Sequence, residues 1–459
     1  MIGLPDSLSL LWEHTMSIAV VILAAGTGTR MKSHLPKALH RVCGRPMVAY
    51  VVDAARELTG TRPLVVVGHG AEQVRKALSE SADTVLQEPQ LGTGHAVLQA
   101  RTALEGKADT VLVMYGDTPF ISVETLRAML ERHMSENAAV TLLTFRPPDP
   151  LRFGRIVRDG TGHAQVVVEF NEATPEQKAI RECNSGIKCF QADWLWSHIE
   201  QLPVKRGEQY LTDLVAMAVA ERRTVAALDS ESDEVSGIDD RARLAWAETK
   251  MRARINERLM LSGVTVIDPA TTYIEASVTI GADTVILPNT HLRGKTVIGG
   301  ECEIGPNAVI EDSVIGDRCV VKASFFEGAT LEDDVDVGPF AHLRRGAYLC
   351  RHVHMGNFGE VKNSRLGTGT KMGHFSYLGD AEVGANVNIS CGVITCNYDG
   401  KHKHKTVIGH GAFIGSDTML RAPVTIGKNA VTGAGSVVTH DVPDSALAYG
   451  VPARVKSDV

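Results

Sequence analysis

The amino-acid sequence predicts an α/β domain, then a long helix, then a parallel β-helix. In the first half, short apolar runs alternate with helical stretches, which is typical of a mostly parallel sheet with helices on both faces. In the second half, apolar residues recur every six positions, and a fixed hexapeptide period is typical of a parallel β-helix. Between the halves, a stretch without Gly or Pro predicts one continuous helix.

These changes of pattern divide the chain into the segments 1–16, 17–238, 239–261 and 262–459. The segment 1–16 lacks the basic start and the long apolar core of a signal peptide. We expect a disordered extension there, or an upstream start with Met16 as the functional beginning. The other three segments are interpreted as the α/β domain, a helical arm that links two domains, and the β-helix.

The composition narrows the range of partners. The 459 residues carry a formal net charge of −7 at pH 7, which gives no basic footprint for a dedicated nucleic-acid binder. No run approaches the roughly 18 apolar residues of a membrane-spanning helix, so we expect no membrane insertion. The eight cysteines include no C-x-x-C pair, which favours reduced thiols in the cytoplasm over a zinc site.

Apolar runs and helical stretches give the elements of the first domain. The predicted strands are Ile18–Leu23, Leu64–Val67, Thr110–Met114, Ala139–Thr144 and Ile187–Phe190. The predicted helices are Met47–Glu57, Ala71–Leu78 and Val123–Met134. Because ligands of such sheets bind at the carboxyl ends of the strands, the segments that follow the strands hold the candidate site residues.

The loop after the first strand is the first candidate site. It reads LAAGTGTRMKSHLPK from Leu23 to Lys37, and its small residues let backbone N–H groups approach a ligand closely. A helix or a turn near Met31, together with the cations Arg30 and Lys37, would complete a cradle for phosphate groups. The glycine spacing is neither G-x-G-x-x-G nor G-x-x-x-x-G-K-[ST], and by itself it fits an unspecific turn equally well.

Two further segments follow strands of the same sheet. Asp117 in TVLVMYGDT lies just past a strand, where a carboxylate suits Mg²⁺ shared with phosphates; a cap for the next helix is the alternative. Gln87 in QEPQLGTGHA offers an amide that can read a base edge, close to the flexible Gly92; a surface turn is the alternative.

The string LAAG-x-GTRM followed by LPK resembles the signature of the sugar nucleotidyltransferases, and the segments around Gln87 and Asp117 match the same family. The resemblance implies a Rossmann-like domain that binds UTP and a sugar phosphate through Leu23, Ala24, Ala25, Gly26, Lys37, Gln87, Gly92, Thr93, Tyr115, Gly116, Asp117, Gly154, Glu169, Asn184 and Asp239. It further implies that Arg30 and Lys37 neutralise phosphate charge, and that Asp117 and Asp239 hold Mg²⁺. Asp239, in VSGIDDR, stands where the family usually has Asn.

In the β-helix, the hexapeptide period is clearest in the apolar column Ile408, Ile414, Leu420 and Ile426. Outside that column, the stretch KMGHFSYLGD contains a candidate general base, His374, because histidine titrates near neutral pH. A structural histidine is the alternative.

His374, with Arg344 in GPFAHLRRG, Lys362 in VKNSRLG and Tyr377 in SYLGD, resembles the acetyltransferase half of a bacterial family. That family comprises bifunctional N-acetylglucosamine-1-phosphate uridyltransferase/glucosamine-1-phosphate N-acetyltransferases. The resemblance implies a left-handed β-helix and a homotrimer with sites between chains. It assigns glucosamine-1-phosphate to Arg344, Lys362, Tyr377 and Asn388, and acetyl-CoA to Cys391, Asn397, Tyr398, Ser416 and Ala434.

The chain departs from this family's pattern at a few positions. Cys391 replaces a usual Ala and Arg345 a usual Pro, and the family's late arginine has no clear equivalent, although Arg454 could substitute. The run KHKHK within 401–405 is either a solvated charge run or a contact for the phosphates of coenzyme A.

The resemblance implies two reactions. The β-helix transfers acetyl from acetyl-CoA to glucosamine-1-phosphate, and the first domain then transfers uridylyl from UTP to N-acetylglucosamine-1-phosphate with release of pyrophosphate. One alternative is a single-function nucleotidyltransferase whose β-helix only trimerises or regulates. Another is a non-enzymatic scaffold similar to translation-initiation exchange factors, which predicts a degraded phosphate loop, whereas Arg30, Lys37 and Asp117 are all present.

Overall fold

The computed structural model describes residues 17–150 and 152–458, so the expected N-terminal extension lies outside the described residues. The chain folds into two compact units that divide between Glu248 and Thr249. The division falls inside one long helix, Arg241–Leu261. This helix begins two residues later than the segment 239–261, because the Asp240 carboxylate precedes it and accepts the backbone N–H of Arg243 at 2.8 Å, as a helix cap does.

A twisted sheet forms the centre of the first unit. From one edge to the other its strands are Val225–Ser230, Val140–Phe145, Cys183–Gln191, Thr110–Tyr115, Ile18–Ala24, Leu64–Val67 and Asp83–Leu86. Among these, Cys183–Gln191 runs antiparallel to both neighbours and the other adjacent pairs are parallel. A hairpin of Arg155–Arg158 and Ala164–Val168 adds to one side. The mostly parallel sheet predicted from the sequence is confirmed.

Helices cover both faces of this sheet. The described α-helices of the first unit are Met47–Thr59, Ala71–Leu78, Thr93–Leu98, Arg101–Leu104, Val123–Ser135, Pro175–Lys178, Ala192–His198, Asp213–Ala220 and Ser232–Val235. Short 3-10 turns lie at Thr29–Met31, Lys37–Leu39 and Ile199–Gln201, and two-residue ribbons pair Arg41–Val42 with Arg45–Pro46 and Val204–Lys205 with Glu208–Gln209. Alternate residues of the first strand enter two separate apolar cores: Val20 and Ile22 one, Val21 and Leu23 the other.

The sheet places two candidate loops side by side. The first strand pairs with Thr110–Tyr115 in parallel, with Leu23 opposite Tyr115. Both chains therefore leave the sheet at the same edge, one into the glycine loop and the other into Asp117. This is the carboxyl edge at which open α/β sheets bind ligands.

The second unit is a parallel β-helix with three long sheets. One sheet contains Thr265–Val266, Val285–Ile286, Glu303–Ile304, Val320–Val321, Asp336–Val337, His354–Met355, Lys371–Met372, Asn388–Ile389, Phe413–Ile414, Val431–Thr432, Ala446–Gly450 and Ala453–Asp458. The next contains Tyr273–Ile274, His291–Arg293, Val309–Glu311, Phe325–Glu327, His342–Leu343, Gly359–Lys362, Ser376–Gly379, Ile394–Cys396, Met419–Arg421 and Val437–Val438. The third contains Thr279–Ile280, Val297–Ile298, Val314–Ile315, Thr330–Leu331, Tyr348–Leu349, Arg365–Leu366, Ala381–Val383, Thr406–Ile408 and Val424–Ile426.

Buried aliphatic side chains stack along the axis of the β-helix. The predicted apolar positions Ile408, Ile414, Leu420 and Ile426 are at most 1% exposed, and they lie on the third, first, second and third sheets in turn. The hexapeptide period therefore marks the inward position of each successive face of the coil. The antiparallel strand Ala453–Asp458 pairs with Ala446–Gly450 and covers the last edge of the first sheet. In the described part of the chain, no helix is long and apolar enough to cross a membrane.

Candidate active sites

A cavity of about 540 Å³ opens at the carboxyl edge of the first unit's sheet. The predicted residues that line it are Leu23, Ala24, Ala25, Gly26, Arg30, Lys37, Gln87, Gly92, Thr93, Tyr115, Gly116 and Asp117. Sequence reasoning missed Gln90, Glu208 and Tyr210, which also line the cavity. Gln90 lies inside the segment QEPQLGTGHA, whereas Glu208 and Tyr210 lie outside every segment singled out above.

The backbone of the glycine loop is open at Gly26 and tightly packed at Gly28. A Cβ atom on Gly26 would have no heavy atom within 4 Å, so the space in front of this backbone is free. Gly28 has φ +62, and a Cβ there would lie 2.6 Å from the Cβ of Lys37. The loop then forms the short 3-10 turn Thr29–Met31, which settles the choice between a helix and a turn in favour of a turn.

Four charged side chains converge beside this loop. The Lys37 ammonium contacts the carboxylates of both Asp117 and Asp239, and Arg30 lies 3.0 Å from Asp239. Burial by itself would lower the pKa of Lys37, but the two carboxylates outweigh burial and the pKa is raised. Lys37 therefore stays charged at the pH of a cell.

The two carboxylates fit a divalent cation. They come from separate loops and point at one positive centre, and oxygen ligands are those Mg²⁺ prefers. Within the described residues, no group of three or more His, Cys, Asp or Glu could hold a metal ion. A metal at Asp117 and Asp239 would therefore take its remaining ligands from water and from substrate phosphates, as Mg²⁺ commonly does.

The base-reading candidates also line this cavity. Gln87 is 3% exposed, and its amide nitrogen donates to the Gly92 carbonyl at 2.9 Å. Gly92 has φ +95, and a Cβ there would lie 2.6 Å from the carbonyl oxygen of Gln209. The Thr93 hydroxyl oxygen accepts the backbone N–H of Leu211 at 3.0 Å. Gln87 is thus fixed in orientation by its own loop.

The three remaining sugar-site candidates form a group beside the cavity. The backbone N–H of Asn184 donates to the Gly154 carbonyl at 2.9 Å, and Thr212 donates to Glu169 at 3.3 Å. Tyr115 lines the cavity and also lies near this group. Burial raises the pKa of its hydroxyl, and the nearby charge of Glu169 raises this pKa further. Sequence reasoning missed Lys188 in this group, although a lysine inside the apolar run Ile187–Phe190 was a visible signal.

Four predicted residues of the β-helix stack in one column. The register of the first sheet pairs Met372 with Ile389, Ile389 with Ile414, and Ile414 with Thr432. Two residues after each of these positions lie His374, Cys391, Ser416 and Ala434. They therefore occupy the same turn of successive coils, between the first and second sheets, and His374 and Ala434 are exposed there.

A second group of predicted residues lies where two neighbouring strands of the second sheet, Gly359–Lys362 and Ser376–Gly379, end. Lys362 is paired in register with Gly379, and a Cβ on Gly379 would collide with the Tyr377 hydroxyl and lie 2.8 Å from the Asn397 amide nitrogen. Arg344 precedes this point by one coil and donates to Glu360 at 2.8 Å. The side chains of Tyr377 and Asn397 are thus directed to the same place as the backbone of Lys362.

This second group brings several cations together, with the Asp380 carboxylate among them. Lys403, from the run KHKHK, lies beside Lys362, and first Lys403 and then Arg344 lower the pKa of Lys362. Lys405 and His404 instead face carboxylates, Glu382 at 3.3 Å and Asp399 at 2.6 Å. Within that run, Lys403 is the residue that faces the predicted substrate group, and the sequence had not singled it out.

The two groups lie at opposite ends of one strand. Gly379 is the fifth residue after His374, at most about 17 Å along a β-strand. Asn388 lies on the first sheet, where its amide nitrogen donates to the Ser390 hydroxyl at 3.1 Å. Tyr398 is exposed in the loop beyond Asn397, and its hydroxyl donates to the Gly400 carbonyl at 2.7 Å. The structure thus assembles Arg344, Lys362, Tyr377 and Asn397 in one place, and the column with His374 in another.

The first unit has the sheet, glycine loop and carboxylate pair of a nucleotidyltransferase, and the second has the coil of the hexapeptide acyltransferases. The MobA-like NTP transferase domain family matches residues 20–184. The bacterial transferase hexapeptide family matches 277–312 and 405–440, and this repeat forms a left-handed parallel β-helix.

Curated relatives span nearly the whole chain. The bifunctional protein GlmU of Trichlorobacter lovleyi is 50% identical over 436 residues, which are 94% of this chain and 95% of the relative. The GlmU proteins of a Geobacillus species and of Shouchella clausii are 47% and 44% identical, each over 95% of this chain and over 96% and 97% of their own. The chain belongs to the GlmU family. It is a bifunctional transferase of UDP-N-acetylglucosamine synthesis, with a uridyltransferase unit and an acetyltransferase unit.

Proposed function

We propose that the first unit uses the cavity at the carboxyl edge of its sheet to transfer uridylyl from UTP to N-acetylglucosamine-1-phosphate. The free backbone at Gly26, followed by Arg30 and Lys37, supports a triphosphate seat, because open N–H groups and fixed cations suit phosphates. Gln87, which lines the same cavity, reads the uracil. Glu169 and Asn184 take the sugar, since carboxylate and amide groups pair with hydroxyl and acetamido groups.

The observation that carries this proposal is the Lys37 ammonium held between Asp117 and Asp239. Mg²⁺ at these carboxylates would neutralise phosphate charge when bound. Lys37 and Arg30, which line the same cavity, neutralise charge on the phosphates. The sugar phosphate attacks the α-phosphorus of UTP and pyrophosphate leaves, so the residues position and neutralise, and no covalent enzyme intermediate is needed.

In the second unit, the cations Arg344, Lys362 and Lys403 support a seat for the phosphate of glucosamine-1-phosphate. His374 is exposed beside the column of Cys391, Ser416 and Ala434, where acetyl-CoA would present its thioester. His374 accepts a proton from the sugar amine as the amine attacks the thioester carbon, and coenzyme A leaves as its thiol. The acetylated product is the sugar phosphate that the first unit consumes.

We expect the chain to act as a homotrimer in the cytoplasm, where UTP and acetyl-CoA are both supplied. Exposed aromatic rings support an oligomer. Phe340, Phe358 and Phe375 follow the same register position in consecutive coils and are 59%, 60% and 54% exposed. A ladder of this kind is a surface that an oligomer buries. Light scattering of the purified chain should give three times the chain mass, and the mass of one chain would reject the trimer.

Two assays on one preparation test the two reactions. Thiol release from acetyl-CoA with glucosamine-1-phosphate follows the second unit, and pyrophosphate release from UTP with N-acetylglucosamine-1-phosphate follows the first. His374→Ala should abolish thiol release alone, and Asp117→Ala should abolish pyrophosphate release alone. His410→Ala, an exposed histidine in a turn of the same β-helix, and Asp83→Ala, an exposed aspartate on the sheet's edge strand, are the matched controls.

The outcomes separate the alternatives. Pyrophosphate release without thiol release in the wild type would favour a single-function nucleotidyltransferase whose β-helix serves assembly. Loss of both activities in either variant would contradict two independent sites. Unchanged thiol release in His374→Ala would remove His374 from its assigned role.

A further inference from the structure

A lysine lies in the fully buried middle of the first unit's sheet. Lys188 is 0% exposed, on the strand Cys183–Gln191. Its register partners are Val113 and Leu142, which are also fully buried and belong to one apolar core. An unpaired buried ammonium is strongly unfavourable, so a lysine here needs specific partners.

One of those partners, Asn184, belongs to the candidate sugar group. The Lys188 ammonium donates to the side-chain oxygen of Asn184 at 3.0 Å and to the backbone carbonyl of Gly186 at 2.9 Å. The backbone N–H of Gly186 donates to the same Asn184 oxygen at 3.1 Å. An amide oxygen has two acceptor sites, so both are satisfied from within the protein.

A β-bulge makes this arrangement possible. Asn184 pairs with Thr144 and Lys188 pairs with Leu142, so Ser185, Gly186 and Ile187 together face the single residue between those partners. Gly186 has φ +95 inside the bulge, and a Cβ there would lie 2.7 Å from the ring of Tyr115. Bulges re-aim side chains next to active sites, and here the bulge brings Lys188 back onto Asn184.

Two consequences follow for the sugar group. Because the Asn184 oxygen is occupied, its NH₂ group remains to donate to a ligand. Burial raises the pKa of Glu169, and the Lys188 charge acts against that rise and favours the carboxylate. The buried Lys188 ammonium therefore leaves the Asn184 NH₂ group as a donor and favours the Glu169 carboxylate as an acceptor.

We propose that Lys188 is a positioning residue for the sugar in the uridyltransferase site, an inference that rests on the proposed function. It orients Asn184 to donate to a carbonyl such as that of a 2-acetamido group, and it keeps Glu169 as an acceptor for sugar hydroxyls. Lys188 contacts Asn184 of the sugar group and does not line the cavity at the carboxyl edge of the sheet. Its loss should therefore weaken binding of the sugar part of the ligand and leave nucleotide binding intact.

Calorimetric titration of the full chain with UDP-N-acetylglucosamine and, separately, with UTP tests this assignment. Lys188→Met keeps the length of the side chain and removes the charge; Lys107→Met, an exposed lysine in a turn, is the matched control. The affinity of Lys188→Met for UDP-N-acetylglucosamine should fall about tenfold or more, the effect of one charged hydrogen bond, while its affinity for UTP changes less than about twofold. The control should match the wild type for both ligands.

A pH series on the wild type adds a readout that needs no variant. Burial lowers the pKa of Lys188 to about 8, although the nearby charge of Glu169 acts to raise it. Glu169 in turn is close to two further carboxylates, those of Glu172 and Asp213, which act to raise the pKa of Glu169. Affinity for UDP-N-acetylglucosamine should therefore decline as the pH rises through about 8, while affinity for UTP stays level. The series keeps the test valid if Lys188→Met fails to fold.

Three results would overturn the inference, and they differ in meaning. Equal affinity of wild type and Lys188→Met for UDP-N-acetylglucosamine would refute the positioning role of Lys188 and leave the proposed function standing. A parallel fall for both ligands, or in both pH series, would show a general structural role. A wild type that binds UTP and not UDP-N-acetylglucosamine would refute the proposed function, and the assignment of Lys188 would fall with it.

Discussion

The ion cluster at Lys37 makes a quantitative prediction about stability. Lys37→Met keeps the aliphatic stem and removes the ammonium that Asp117 and Asp239 share. The side chains of these three residues are only 17%, 20% and 31% exposed, so solvent would compensate the loss incompletely. Breaking a fully buried pair costs about 3–5 kcal/mol; allowing for this exposure, we expect the first unit to lose about 2 kcal/mol of unfolding free energy at pH 7.5.

Urea unfolding followed by tryptophan fluorescence measures this loss. The tryptophans of the described residues, Trp194, Trp196 and Trp246, all precede the boundary at Glu248, so their signal reports the first unit; Trp12 lies outside the described residues. With a urea slope of roughly 2–3 kcal/mol per molar, the midpoint should fall by about 0.7–1 M. Lys76→Met, an exposed lysine on the helix Ala71–Leu78, should leave the midpoint unchanged.

The pH dependence of the loss follows from the raised pKa of Lys37. A folded-state pKa above the ordinary value of 10.5 means that the stabilisation is fully present below that pH and disappears as the pH rises through the folded value. The gap between wild type and Lys37→Met should therefore be constant from pH 7 to 9 and close above pH 10.5. In metal-free buffer, equal midpoints at pH 7.5, or a gap that widens above pH 10.5, would refute the reasoning.

Three further substitutions probe the other parts of the two sites. Gly186→Ala should lose about 1–3 kcal/mol in the same urea assay, because a Cβ would press on the Tyr115 ring at a strained φ. Asp239→Asn should raise the Mg²⁺ concentration for half-maximal pyrophosphate release severalfold, since an oxygen ligand remains but one charge is lost. Lys362→Met should raise the KM for glucosamine-1-phosphate roughly tenfold with the KM for acetyl-CoA unchanged, and Lys405→Met, paired with Glu382, is its control.

Each of these predictions has a contradicting result. An unchanged urea midpoint in Gly186→Ala would mean that the bulge relaxes freely. The same Mg²⁺ requirement in Asp239→Asn would place the metal elsewhere. An equal rise of both KM values in Lys362→Met would indicate a distorted coil rather than a lost phosphate contact.

The regular elements were predictable where local signals delimit them. Leu64–Val67 and Ala71–Leu78 have the predicted bounds, because Pro63 directly precedes the strand, Gly70 directly precedes the helix, and each marks where the element begins. The edge strand Asp83–Leu86 was missed, since it is half-exposed and carries no strong alternation. The β-helix was predictable because each coil buries the same sequence positions, so its core repeats in the sequence.

Some residues of the candidate sites were likewise predictable from the sequence, and others were not. Residues in loops directly after strands, such as Asp117, were predictable because a parallel sheet brings those loops to one edge. The contacts of Lys188 depend on a bulge, and they join residues whose relation exists only in the folded sheet. Lys403 was hidden in a charge run for the same reason, since only the folded loop shows that it meets Lys362 while Lys405 meets Glu382.

The separation of the two β-helix groups bears directly on how one substrate could use both. At most about 17 Å of strand lies between His374 and the position that Lys362 pairs with. A lysine stem of four carbons covers about 6 Å of that span and an imidazole arm about 4–5 Å, if both lean inward along the outer face of the second sheet. The remainder is at most about 6 Å, a span that a six-membered sugar ring with its phosphate can cover because each bond is about 1.5 Å long, and Tyr377 lies in that interval. A single amino sugar lying along this strand, with its phosphate at the cations and its amine toward His374, would therefore engage both groups without any change in the coil.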